Sequence, residues 1–177
     1  HWDDDIYIQY KKENRHREIA NRLLEKKCAY KCICTPEELE SIRLKIKKDH
    51  INLKRLCTKC EKDKSIQNIS QGYCIRIKIP ESGEISLSDS IQGKITIKNK
   101  EIDNFILLRK DGTPTYMLSV VVDDHDMKVN TIIRGNDHIN NTFKQMHIYN
   151  HLEWEIPRYS HLPLIHGSDG SKLSKRH

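Results

Sequence analysis

Tyr116-Met-Leu-Ser-Val-Val-Val122 and, after a short polar gap, Val129-Asn-Thr-Ile-Ile-Arg134 closing on Gly135 decide which fold this 177-residue chain can adopt. Each is an apolar, β-branched segment of the kind buried inside a sheet, so both read as strands. Residues 138–152 read as a helix, and a further apolar run, His161-Leu-Pro-Leu-Ile165, leads through Gly167 and Gly170 into the basic terminus Lys172-Leu-Ser-Lys-Arg176. Strand, helix, strand and loop in that order make half of a parallel nucleotide-binding sheet. On the strand reading, the neighbours Asp123 and Asp124 point to opposite faces, which argues against a paired-carboxylate hydrolase.

Upstream the style changes at the loop Lys110-Asp-Gly-Thr-Pro114. Tyr73 to Ile79 alternates apolar and polar residues, Pro80 to Gly83 supplies a turn, and Ile85-Ser-Leu87 and Lys94 to Lys98 resume the same period, giving a small, partly antiparallel module. Before it, Lys11 to Lys27 sets Ile19, Ala20, Leu23 and Leu24 at helical spacing among charges, so this helix buries one stripe and ends near Cys28. Thr35-Pro-Glu-Glu38 places Thr at an N-cap, Pro at the first helical position and Glu at the third. A second helix over about residues 36–48 follows, with Leu39, Ile42 and Ile46 on its apolar face.

The length allows one large domain or two small ones. No stretch approaches the roughly 20 apolar residues that cross a bilayer, and His1 to Asp5 has no export signal, so the expected setting is the cytoplasm, away from membranes. Four of the six cysteines form close pairs, Cys32-x-Cys34 and Cys57-x-x-Cys60. Such a set either holds a tetrahedral structural Zn²⁺ or remains as four reduced thiols, with Cys28 and Cys74 as spares. Residues 11–64 carry 17 Lys and Arg against 9 Asp and Glu, whereas residues 65–177 carry 14 against 13. The positive field therefore belongs to the N-terminal third and suits a polyanion such as nucleic acid. Lys172 and Lys175, three residues apart, suit the charge that gathers on reacting phosphates. Nucleophilic catalysis finds no Gly-x-Ser-x-Gly elbow.

Asp111-Gly-Thr-Pro-Thr-Tyr116, Val120-Val-Val-Asp-Asp124, Ile133-Arg-Gly-Asn-Asp-His138 with Asn140-Asn-Thr142, and Lys172 to His177 occur here in order. Together they resemble bacterial-type glutamyl-tRNA synthetase, a class I enzyme. Trp2, Ile6 to Gln9, Ala29 to Cys32, Cys34 to Leu39 and Ile77 to Pro80 fit the same family, and the likeness is weakest over residues 45–72. The resemblance implies an α/β fold: the second half of a Rossmann-type catalytic domain carrying an inserted α+β, zinc-containing module that binds the tRNA acceptor stem. Residues 1–27 would end the first catalytic half, 28–112 would be the insertion, and 113–177 the second half.

The activity implied is ligation of glutamate to its tRNA through a glutamyl-adenylate made from ATP with Mg²⁺, by a monomer. Arg134 would meet the glutamate carboxylate, for which a guanidinium fork at a strand's C-terminal end is suited. Tyr116 would reach the same substrate, Lys175 and Lys172 the ATP phosphates, and Asp137 the ATP ribose or the helix N-cap. Asp137 and His138 open the helix after Gly135, a location suited to ribose or tRNA-terminus contacts, Asp123 and Asp124 would orient the tRNA end or hold the loop before Val129, and Cys32, Cys34, Cys57 and Cys60 would hold the zinc. Asn136 stands where the family commonly has an acid. The family's opening ATP motif has no counterpart here and the chain stops inside the lysine loop, so the 177 residues alone are expected to be inactive. Two other readings stay open: the paralogue that glutamylates queuosine in an aspartate tRNA, favoured less by Arg176-His177, and a non-catalytic zinc-and-basic RNA-binding module.

Overall fold

The computed structural model describes residues 6–48, 57–165 and 167. In chain order its elements are α1 (Glu13–Glu25), β1 (Ala29–Cys32), α2 (Pro36–Lys48), α3 (Thr58–Lys62), α4 (Lys64–Gln67), β2 (Cys74–Ile77), β3 (Glu84–Asp89), β4 (Gly93–Lys98), β5 (Ile106–Leu108), α5 (Tyr116–Asp126), β6 (Thr131–Gly135), α6 (Ile139–Leu152) and β7 (Arg158–Leu162). Two sheets result. One is antiparallel in the order β1-β2-β5, and the other is mixed in the order β4-β3-β7-β6.

The helices start and stop where their chemistry dictates. At α2 the capping box forms in full: Glu38 N donates to Thr35 Oγ1 at 3.2 Å, and Thr35 N donates to Glu38 Oε2 at 2.8 Å, satisfying two otherwise orphaned donors. On α1, Ile19, Ala20 and Leu23 are fully buried and Leu24 packs at the edge of the same core.

Tyr116 to Val122 is not a strand but the first two turns of α5. Its valines favour a sheet only as a weak prior, which tertiary packing overrides. Leu118, Val121 and Val122 are buried at helical spacing against α1 and α6, and Pro114 fixes the approach before the first turn. Asp123 and Asp124 therefore diverge by the helical turn rather than by the pleat, and they do face different surroundings.

The hairpin of β3 and β4 does not stay within the antiparallel sheet. Asp89, the last residue of β3, pairs in parallel with Tyr159 of β7, while β7 runs parallel to β6 with Arg134 opposite His161. Along β3 the inward positions are Ile85, Leu87 and Asp89. A carboxylate thus occupies the third position of an apolar face. The hairpin covers one edge of β7, and β6, with Ile133 66% exposed, forms the other end of the sheet among the described residues.

Most of the interior is one core joining α1, β2, β3, α5 and α6, in which Leu23, Ile77, Leu118, Val122 and Ile148 have no exposure at all. Each such side chain contributes about 1.5–3 kcal/mol by leaving water. A second, much smaller core holds, among the described residues, Tyr30, Ile66 and four cysteines (Cys32, Cys57, Cys60 and Cys74) as its buried members.

His147 lies in the main core, 5% exposed, with Nε2 buried and unpartnered among the described residues. Burial, assisted by the charge of His151, pushes its pKa down to about 4. Between pH 6.5 and 4 the unfolded chain therefore binds a proton that the folded chain refuses. The stability is fully present above pH 6.5 and lost as pH falls toward 4, by up to about 3 kcal/mol. Urea titrations of wild type and His147→Leu at pH 7.5 and pH 5 should show a smaller acid loss in the variant. Equal losses would contradict the assignment.

Candidate functional site

Parallel strands place ligands beyond their C-terminal ends, and Arg134 stands there, one residue before the end of β6. Gly135 follows, and a Cβ at that position would come within 2.5 Å of Asp137 Oδ1, so a larger residue there would have to displace the Asp137 side chain. The chain then makes a 3-10 turn, Asn136–His138, and α6 is capped at His138, so Asp137 lies in the turn rather than at the N-cap.

The guanidinium of Arg134 is held on three sides. Nε donates to His161 Nε2 at 3.2 Å, and Nη2 donates to Thr142 Oγ1 at 2.5 Å and Gln145 Oε1 at 2.8 Å. Its carbon lies 5.4 Å from the centre of the Tyr159 ring, a cation–π distance. These partners are uncharged or bonded as neutral acceptors, and no ion pair to a carboxylate joins them among the described residues. Asp124 feels the guanidinium only at longer range: burial and then Asp123 raise its pKa, and Arg134 opposes them. A half-buried cation fixed by neutral groups can receive an anion without first breaking an internal ion pair.

Tyr116 opens α5 and is half exposed. It acts with Arg134 and Asp124 on the buried Tyr159 hydroxyl, whose pKa is raised first by burial. Tyr116 also lies where two depressions meet. One, of about 330 Å³, includes Gln9, Glu13, His16 and Pro114. The other, of about 500 Å³, runs toward the cysteine cluster past Arg43, Arg76, Arg109 and Phe105.

Asp123, two turns on from Tyr116 along α5, is consumed by structure. Its Oδ1 accepts from Tyr7 Oη at 2.8 Å and from His16 Nε2 at 2.7 Å, and Gln9 Nε2 donates to Oδ2. The group ties the segment before α1 to α5.

The four paired cysteines come together, their Sγ atoms all within 4.8 Å of one another. Cys32 ends β1 and Cys34 follows it, whereas Cys57 and Cys60 lie at the first turn of α3. The Cys57–Cys34 and Cys57–Cys32 sulfurs are 2.8 and 3.4 Å apart, and Cys34–Cys60 are 3.6 Å apart. Four ligands at about 2.3 Å from a tetrahedral metal would be separated by about 3.8 Å, so the set can hold one ion after small relaxation. Burial pushes the Cys34 thiol up to about 11, and hydrogen bonds from Cys57 and Cys74 pull Cys32 down. Cys74, opposite Cys32 in the β1–β2 ladder, is thus a neighbour of the cluster rather than an unrelated spare. Cys28 lies outside it.

Lys172 and Lys175 lie outside the described residues. Asp89, Thr142, Gln145 and His161, which hold Arg134, were not singled out by sequence reasoning as site residues. Only the break in alternation at Asp89 could have drawn attention.

All 177 residues match the family described as tRNA synthetases class I (E and Q), catalytic domain. The chain is 49% identical over 176 residues to glutamate–tRNA ligase 2 of Zymomonas mobilis and 47% identical over 176 residues to glutamate–tRNA ligase 2 of Rhizorhabdus wittichii. Each match covers 99% of this chain and 37% of the relative, so the chain spans little more than a third of their length. A crystal structure of a glutamate tRNA ligase from Elizabethkingia meningosepticum in complex with its amino acid superposes with a TM-score of 0.82 at 28% identity, over 99% of this chain and 37% of that one. Among the described residues no helix is long and apolar enough to cross a membrane.

Proposed function

Because the chain belongs to the class I tRNA synthetases (E and Q) by their catalytic domain, we propose that these residues form part of an enzyme that joins glutamate to tRNA at the expense of ATP. The observation that carries this reading is Arg134, a preorganised guanidinium at a strand end with neutral partners and the Tyr159 ring against it. On this reading the guanidinium receives a carboxylate of glutamate, and Tyr116 offers its hydroxyl from the start of α5. The depression lined by Arg43, Arg76 and Arg109 supplies a cationic approach for the tRNA end, from the module of residues 28–112 toward the second catalytic half, 113–177. Lys172 and Lys175 would meet the phosphates of ATP with Mg²⁺, and Asp137 the ATP ribose. Adenylation needs little acid–base help, because positioning and charge stabilisation lower its barrier.

Cys32, Cys34, Cys57 and Cys60 would hold a Zn²⁺ that orders the small second core. We place the enzyme in the cytoplasm, working as a monomer. The relatives favour neither the queuosine-modifying paralogue nor a non-catalytic RNA-binding module.

The test is ATP–pyrophosphate exchange and tRNA charging by the full-length protein, with glutamate, glutamine and aspartate compared. Exchange with glutamate and transfer to glutamate tRNA are expected. Activity with another amino acid alone, or RNA binding without exchange, would replace this reading.

A further inference from the structure

Asp89 and His161 are almost entirely buried, 72 residues apart in sequence, and bonded side chain to side chain: His161 Nδ1 lies 2.6 Å from Asp89 Oδ2. The backbone N–H of His161 also donates to the same carboxylate, at 3.1 Å from each oxygen, and those of Ile91 and Gln92 donate to Oδ1 at 3.0 and 2.9 Å. Burial alone would raise the pKa of Asp89, but these N–H groups outweigh it and hold the carboxyl well below its usual range. On the far side of the imidazole, Nε2 meets Arg134 Nε at 3.2 Å and Thr142 Oγ1 at 3.0 Å.

Arginine Nε can only donate. The Nε2 atom facing it must therefore carry a lone pair, and the ring's one proton must sit on Nδ1, where Asp89 accepts it. Both ends of the ring demand the same tautomer. With Gln145 and Thr142 occupying Nη2, the edge containing Nη1 has no partner among the described residues and remains for a ligand.

We propose that Asp89 and His161 are positioning residues of the amino-acid site: the carboxylate fixes the Nδ1–H tautomer of His161, and the bare Nε2 holds Arg134 in its receiving orientation. The negative charge of Asp89 reaches the guanidinium through a neutral ring. It does not quench Arg134 as a direct ion pair would. Because Asp89 ends β3, the site also depends on the hairpin being docked against β7. The proposal rests on the reading of Arg134 as the receptor for the substrate carboxylate.

The experiment uses the full-length protein, with ¹⁵N-histidine NMR beside glutamate-dependent ATP–pyrophosphate exchange. In wild type, His161 should show a protonated Nδ1 and a bare Nε2; the reverse overturns the proposal. Asp89→Asn keeps the shape but turns an N–H₂ toward Nδ1, forcing the proton to Nε2, where it opposes Arg134 Nε–H. The expected result is the switched tautomer and a KM for glutamate raised about ten- to a hundredfold, with the KM for ATP within about twofold. Should Asp89→Asn not fold, the pair His161→Gln and His161→Leu decides. Both lose the bond to Asp89, but only the glutamine carbonyl can accept from Arg134, so Gln should keep the lower KM for glutamate. Equal KM values, or a lowered melting temperature with wild-type KM, would mean a purely structural role and overturn the proposal. If Arg134→Lys itself leaves the KM for glutamate unchanged, the amino-acid reading fails and takes this proposal with it. If Arg134→Lys raises it and Asp89→Asn does not, the positioning role alone fails.

Discussion

Arg134→Ala in the full-length protein lowers glutamate-dependent ATP–pyrophosphate exchange by about two to four orders of magnitude while the protein still folds and binds ATP. A buried carboxylate deprived of its charged partner costs about 3–5 kcal/mol, and each 1.36 kcal/mol is tenfold in rate. The fold survives because Arg134 anchors no ion pair among the described residues. Thr142 Oγ1 remains 3.0 Å from His161 Nε2 and 3.3 Å from the His138 carbonyl after the guanidinium is gone. The loss in stability is then that of a few neutral hydrogen bonds, about 1–3 kcal/mol. Arg134→Lys recovers little, since one ammonium cannot reach both His161 and Gln145 as the planar fork does. Exchange by the alanine variant near the wild-type rate would refute the assignment.

The second large effect concerns the cysteines. Protein purified without chelator should carry one Zn²⁺ per chain, and removing it, or introducing Cys60→Ser, should unfold the region around β1, α3 and α4 while the main core persists. Among the described residues the small core has Tyr30 and Ile66 as its only buried non-cysteine members, with Leu39, Ile69 and Ile106 at its edge, little apolar surface to order it unaided. Cys57 stands in the left-handed backbone region at φ 66°, which costs a non-glycine residue about 1–2 kcal/mol. Structural zinc contributes about 10–16 kcal/mol in comparable peptides, enough to cover both deficits. Metal analysis and near-UV circular dichroism before and after chelation test this. Less than about a tenth of an equivalent of zinc, or an unchanged spectrum on its removal, would sink it.

What the sequence made legible depended on whether the determining contacts were local. The capping box at Thr35 was readable because its two hydrogen bonds span three residues, and the cysteine pairs because a metal imposes short spacings on its ligands. Arg134 was readable as a residue at the end of a strand. The valines of α5 misled because burial on more than one side erases the periodicity that separates helix from strand. The residues that hold Arg134 were invisible for a different reason. Asp89 lies 72 residues from His161 in sequence, and no pattern within either segment announces the other.

The parallel pairing of Asp89 with Tyr159 bears on how this architecture can be recombined. The segment between β1 and β5 looks like a cassette, since it leaves α1 and returns at α5. Its β3–β4 hairpin, however, completes the sheet beside β7, and its last inward side chain is the acid that His161 requires. A chimera given a foreign insertion must therefore supply both a strand for that edge and a carboxylate at its end, and a graft chosen for loop length alone would fold with Arg134 misaligned.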